Sequence, residues 1–88
     1  MRFKYDPAKA AINLKKHGVS FSDAEGVLKD PLAITVEDPD AAGEQRFVTV
    51  GLGSAGAFLV VVYNERGEEF RLISARLATR KERKLYES

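Results

Sequence analysis

Apolar residues recur along this chain with two periods, helical before Pro31 and strand-like after it. Arg2–Tyr5 reads as a short first strand. Asp6-Pro7 then opens a helix, with Asp6 as N-cap and Pro7 at the first helical position, where its missing N–H costs nothing. Ala8, Ala11, Ile12 and Leu14 form a narrow apolar face expected to turn inward, with Lys9, Asn13 and Lys16 on the other side. Lys15, Lys16 and His17 suit the negative end of the helix dipole, and Gly18 suits the left-handed position after it. Ser20 caps a second helix, with Asp23 as the acid of a capping box and Phe21, Ala24, Val27 and Leu28 on one face; Asp30-Pro31 ends it.

Leu32–Val36 is β-rich and leads into a turn-forming segment over residues 37–43. Arg46–Leu52 is the next strand, followed by a turn at Gly53–Gly56. Phe58–Tyr63 is apolar without alternation, as in a strand covered on both faces, so it is expected at the centre of the sheet. Glu65–Glu68 makes a tight turn into Phe70–Arg76, and Thr79 with Glu82 forms a capping box for a short C-terminal helix. The expected order is β-α-α-β-β-β-β-α. This is an α+β domain, a mainly antiparallel sheet packed by helices, with residues 1–88 as a single domain.

Composition narrows the chemistry. The chain has 88 residues, 44% hydrophobic and 31% charged, as ordinary globular domains are. It holds no cysteine and one histidine, which excludes disulfides and a cysteine-based zinc site and disfavours a histidine-rich metal centre. No apolar run is long enough to span a membrane, and the first residues carry no apolar signal segment, so a cytoplasmic, soluble protein is expected. The net charge of +1 conceals a strong division along the chain. Residues 1–19 carry +4, residues 20–69 carry −7 and residues 70–88 carry +4, taking His17 as neutral. If the two basic ends meet in the fold, they form a surface suited to a polyanion.

Residues 70–83, "FRLISARLATRKER", place arginines in a strand that should be core. In a regular strand Phe70, Leu72, Ser74 and Arg76 face one way and Arg71, Ile73 and Ala75 the other, so each face is expected to carry one arginine. A buried, unpaired arginine would cost several kcal/mol. Two explanations remain open. The arginines pair with carboxylates of the acidic middle, such as Glu37, Asp38 or Glu44. Alternatively, small neighbours at Ser74 and Ala75 leave a hollow in which guanidinium heads await phosphate, which their planar fork binds bidentately.

The segments "YDPAKAAINLKKHGVSF", "DPLAITVEDPD", "EQRFVTVGL", "LVVVYNERG" and "RLISARLATRKERKLYE" occur in an order that closely resembles the BrnT family of bacterial toxins, from about residue 3 to residue 87. Tyr5 stands where the family often has tryptophan, and Ala57 where a basic residue often follows the glycine. The resemblance implies a fold similar to RelE-type ribonucleases. It implies an RNA-cleaving toxin of a type II toxin–antitoxin pair that inhibits translation and needs no cofactor. The implied partner is a BrnA-like ribbon-helix-helix antitoxin, which would neutralise the toxin in a hetero-oligomer and carry the pair to operator DNA.

Metal-independent RNA cleavage needs a base for the 2′-hydroxyl proton, cations for the charge developing at phosphorus and an acid for the leaving 5′-oxygen. His17 is the acid–base candidate, because an imidazole titrates near neutral pH; the competing reading is a cation that merely complements the helix dipole. Arg71 and Arg76 are the candidates for stabilising phosphate charge. Arg46 and Glu44 form a candidate acid–cation pair, or simply blunt a sheet edge. Lys15, Lys16, Arg80 and Arg83 are expected to contact the RNA backbone, the last two alternatively the antitoxin. Tyr63, Tyr86 and Phe21 offer rings for base stacking or for packing. A non-catalytic nucleic-acid-binding module and a pure interaction domain remain as alternatives from other classes.

Overall fold

A computed structural model describes residues 2–39 and 43–87. Its elements run β1 (Arg2–Lys4), α1 (Pro7–His17), α2 (Phe21–Lys29), β2 (Ile34–Glu37), β3 (Phe47–Leu52), β4 (Phe58–Arg66), β5 (Glu69–Leu77) and α3 (Arg80–Glu87). This is the expected order. The turn expected over residues 37–43 includes Asp40, Ala41 and Ala42, which lie outside the described residues.

Local chemistry sets the boundaries. Asp6 Oδ1 accepts the Ala8 N–H at 2.8 Å, and Gly18, at φ 70, donates its N–H to the Leu14 carbonyl. Ser20 Oγ accepts the Asp23 N–H at 3.1 Å. In α3 the capping box closes in both directions: Glu82 N donates to Thr79 Oγ1 at 3.2 Å and Thr79 N to Glu82 Oε1 at 2.8 Å. Gly67, at φ 59, opens the two-residue turn between β4 and β5, a conformation that a side chain would strain.

The strands form one sheet in the order β1-β5-β4-β3-β2, so the apolar β4 is central. Every pairing is antiparallel except β1 with β5. That parallel pairing joins the two basic ends of the chain, with Lys4 beside Arg71. On one face α2 packs Phe21, Ala24 and Val27 against Leu59, Val61, Tyr63, Leu72 and Ala75, all buried. Phe47 and Phe70 flank Tyr63 with ring centroids 5.7 and 5.4 Å away. On the opposite face α3 covers one end of β4, with Tyr86 against Phe58 at 5.1 Å and its hydroxyl donating to Asp30 Oδ2 at 2.7 Å.

Two expectations from periodicity fail, for identifiable reasons. Val62 pairs with Ser74 but Tyr63 pairs with Leu72, so Ile73 is an extra residue on β5, a β-bulge. The bulge shifts the alternation by one. Leu72 and Ala75 therefore share the core face, while Arg71, Ser74 and Arg76, opposite Asn64, Val62 and Val60, share the other. The two arginines are thus on one face, not on two. In α1, Ile12 and Leu14 are exposed and the buried residue is Asn13, so Asn13, expected to turn outward with Lys9 and Lys16, turns inward while the two lysines stay exposed. Ala10, Asn13 and His17, spaced three and four apart, point at the sheet, and Asn13 replaces a missing strand there. Beyond the end of β1 the edge of β5 is open. Asn13 Nδ2 donates to the Ala75 carbonyl at 2.9 Å and to the Val19 carbonyl at 3.0 Å, while its Oδ1 accepts the Ala75 N–H at 3.1 Å.

Candidate nucleic-acid interface

β1 ends at Lys4 while β5 continues to Leu77, and α1 runs alongside the uncovered stretch. The step leaves two hollows in line. The first, of about 340 Å³, is lined by Lys4, Tyr5, Lys9, Asn64, Arg71 and Ile73 among others. The second, of about 200 Å³, is lined by Lys9, Ile12, Asn13, Lys16, His17 and Ser74, with Ile73 again. Lys9 and Ile73 line both, so the two hollows adjoin along the α1–β5 edge, with Lys4, Lys9, Arg71 and the Asp6 carboxylate in the first and Lys9, Lys16 and the His17 imidazole in the second. The bulge at Ile73 lies at the junction, where bulges commonly redirect side chains beside functional sites.

Three of the residues singled out in the sequence line these hollows: Arg71 the first, Lys16 and His17 the second. Arg71 uses Nε for one hydrogen bond, to Glu69 Oε1 at 3.2 Å, and has no other side-chain bond among the described residues. Its two terminal nitrogens are open to an anion. Lys4 lies next to it in the parallel register, and Asn64 opposite it on β4. Asn64 Oδ1 is buried without a hydrogen-bond partner among the described residues, an acceptor that normally requires one. Tyr5 is 38% exposed with its ring edge-on to Phe21 at 5.2 Å, so one side of an anchored aromatic faces the groove.

The other candidates lie elsewhere. Arg76 donates through both terminal nitrogens to Glu82, at 2.8 Å each, and to the Leu77 carbonyl at 3.2 Å. The Arg76 guanidinium, aided by the Thr79 N–H and hydroxyl, overcomes burial and holds the Glu82 carboxyl down to about 2. Glu44 bonds the Arg66 guanidinium, and those hydrogen bonds, with the charges of Arg66 and Arg71 adding, keep its carboxyl below the ordinary range. Arg46 reaches Asp38 at 3.7 Å near the β2–β3 connection. The arginines thus pair locally with Glu69 and Glu82, and not with the Glu37, Asp38 or Glu44 considered from sequence. Lys15 is exposed on α1 outside the lining of the groove, and Arg80 is exposed on α3. Arg83 stacks over the Phe58 ring at 4.8 Å. Phe21 and Tyr63 are buried and Tyr86 is bonded to Asp30, so each serves packing in this structure. Sequence reasoning missed Lys4, Tyr5, Lys9 and Asn64, because they reach Arg71 only through long-range structure: Lys4 and Tyr5 through the parallel β1–β5 pairing, Asn64 through the β4–β5 register and Lys9 through the placement of α1.

The result is an α+β domain whose sheet edge concentrates three lysines, an arginine, an exposed aromatic ring and one imidazole, with Asp6 the one carboxylate in the lining among the described residues. Comparison with known proteins gives that class its family. The sequence model described as "Ribonuclease toxin, BrnT, of type II toxin-antitoxin system" matches residues 5–82, and the chain belongs to this family. The crystal structure of the Brucella abortus ribonuclease toxin BrnT is similar in fold, with a TM-score of 0.66 at 26% identity, covering 91% of this chain and 99% of that one. No curated protein matches the chain.

Proposed function

We propose that this toxin cleaves RNA in the α1–β5 groove without a metal ion, and that translation is what the cleavage stops in the cytoplasm. The observation that carries the reading is that two adjoining hollows, sharing Lys9, hold Lys4 and Arg71 on one side and Lys16 and His17 on the other. In the reaction the 2′-oxygen attacks phosphorus and the bond to the 5′-oxygen breaks, giving a 2′,3′-cyclic phosphate and a free 5′-hydroxyl. His17 takes the 2′-hydroxyl proton, and an ammonium of Lys9 or Lys16 supplies the proton for the leaving oxygen. Arg71 and Lys4 carry the negative charge that develops on the non-bridging oxygens. Arg76, Glu44 and Arg46 act as positioning residues: Arg76 anchors α3 through Glu82, Glu44 adds its field to Arg71, and Arg46 ties the β2–β3 connection. Lys15, Arg80 and Arg83 extend the cationic surface for flanking phosphates.

Metal independence follows from the proposed step itself, in which His17, the lysine ammonium groups and Arg71 supply the base, the acid and the charge stabilisation. The test is incubation of the protein with end-labelled RNA in excess EDTA. Continued cleavage with cyclic phosphate ends is expected, and cleavage that stops in chelator and returns with a divalent cation overturns the reading. The cognate antitoxin that the family implies is proposed to be of the ribbon-helix-helix type. Such segments fold as dimers, so the expected complex holds two toxins and two antitoxins and binds operator DNA. One of each by light scattering would contradict this.

A further inference from the structure

The unbroken apolar run of β4 requires cover on both faces of the sheet, and the second face has only part of it. α1 and α2 cover the first face. On the second, α3 spans eight residues and reaches the end that holds Phe58 and Val60. The next row in cross-strand register is incompletely covered: Val36 is exposed, Val48 and Val62 are half-buried, and Ser74 at its end lines the hollow beside α1. Val36 is 58% exposed, and Ile34 and Leu52 on the same face are 37% and 39% exposed. β2 is also an edge strand with all four residues exposed and none of the lysines, prolines or bulges that usually blunt an edge.

We propose that this open face is where the cognate antitoxin docks, through an amphipathic helix whose apolar side lies on Val36, Val48 and Val62 and whose flanks are acidic. The proposal rests on the toxin reading of the family. Three strands spaced about 4.8 Å apart make a floor about 10 Å wide, the diameter of one helix. The charge of the rim selects the partner. Arg71 and Arg76 project from this same face with side chains 43% exposed, and α3 carries Arg80, Lys81, Arg83 and Lys84 against Glu82 and Glu87. A second copy of this chain would bring two such cationic rims together, whereas acidic flanks complement them. RNA does not fit the floor, which offers aliphatic side chains where bases need aromatic ones and phosphates need cations. The helix would also lie beside Arg71, which joins this face to the RNA groove, and inhibition follows from sharing that residue.

The test measures equilibrium binding of the purified antitoxin to the whole toxin and to two variants. Val36→Glu places a like charge before the acidic flanks at an exposed position, and is expected to weaken binding by roughly 100-fold. Val36→Ala, which adds no charge, is expected to weaken it by roughly fivefold. Leu14→Glu, at an exposed site on α1, is the control and is expected to leave binding unchanged. Val36→Glu binding within threefold of the unaltered toxin overturns the proposal, as does an equal loss from Leu14→Glu. RNA cleavage by free Val36→Glu is expected at the unaltered rate. If no form cleaves RNA, the nuclease reading fails while the binding result still decides the docking surface.

Discussion

Replacing Asn13 by leucine keeps the side chain's size and makes α1 more hydrophobic, yet it should be among the most destabilising changes in the chain. The amide makes three hydrogen bonds within the fold and is 6% exposed. Leucine leaves the Ala75 N–H and the Ala75 and Val19 carbonyls without partners, in a place where its own bulk keeps water out. A buried unsatisfied group costs about 1–3 kcal/mol. Some relaxation is expected, so the loss is put at about 3–5 kcal/mol, a large part of the roughly 5–15 kcal/mol that holds a small domain together. Ile12→Ala, one residue away and 65% exposed, should cost less than about 0.5 kcal/mol. Urea unfolding followed by far-ultraviolet circular dichroism measures both. An Asn13→Leu protein within 1 kcal/mol of the unaltered one would refute the argument, and so would an Ile12→Ala loss as large as that of Asn13→Leu.

Arg71→Ala should lower RNA cleavage by roughly 100-fold with the melting temperature nearly unchanged, because its one ion pair is half-exposed. Arg76→Ala should instead cost about 1–2 kcal/mol of stability, since both its terminal nitrogens are engaged by Glu82. The Glu82 carboxyl, held at about 2 in the fold, stabilises the protein fully above its unfolded value and loses that contribution as pH falls toward 2. Solvent screening leaves about 1–2 kcal/mol of it, so melting curves from pH 6 to pH 2 should fall less steeply for Glu82→Gln than for the unaltered protein. Gly26→Ala should raise helix propensity by about 1 kcal/mol but lower net stability, because a Cβ there lies 2.5 Å from the Ser54 backbone nitrogen. A higher melting temperature for Gly26→Ala would show that the Ser54 loop yields freely.

The legible parts of the fold were those in which one short stretch carries both the signal and its cause. Asp6, Gly18, Ser20 and the Thr79–Glu82 pair each satisfy backbone groups within a few residues, and their helix ends follow. The unbroken apolar run from Phe58 to Tyr63 announced a central strand because burial on both faces removes any need to alternate. Long-range pairing hid the rest. Asn13 reads as a surface residue until the edge of β5 stands beside it, and Ile73 reads as an ordinary alternating position until β4 sets the register that makes it a bulge. The same holds for the groove. His17, Lys16 and Arg71 stand out by residue type, whereas Lys4, Lys9 and Asn64 join them only through the parallel β1–β5 pair, the packing of α1 and the bulged β4–β5 register.

Where RNA lies on this protein tests the central claim most directly. His17→Ala toxin with a 2′-O-methyl oligoribonucleotide, which lacks the attacking hydroxyl, gives a complex that no reaction consumes. Amide chemical shifts of that complex should change along residues 4–17 and 71–75 and leave Ile34–Glu37 undisturbed. Changes concentrated on β2 and β3, with the α1–β5 edge unmoved, would contradict the account.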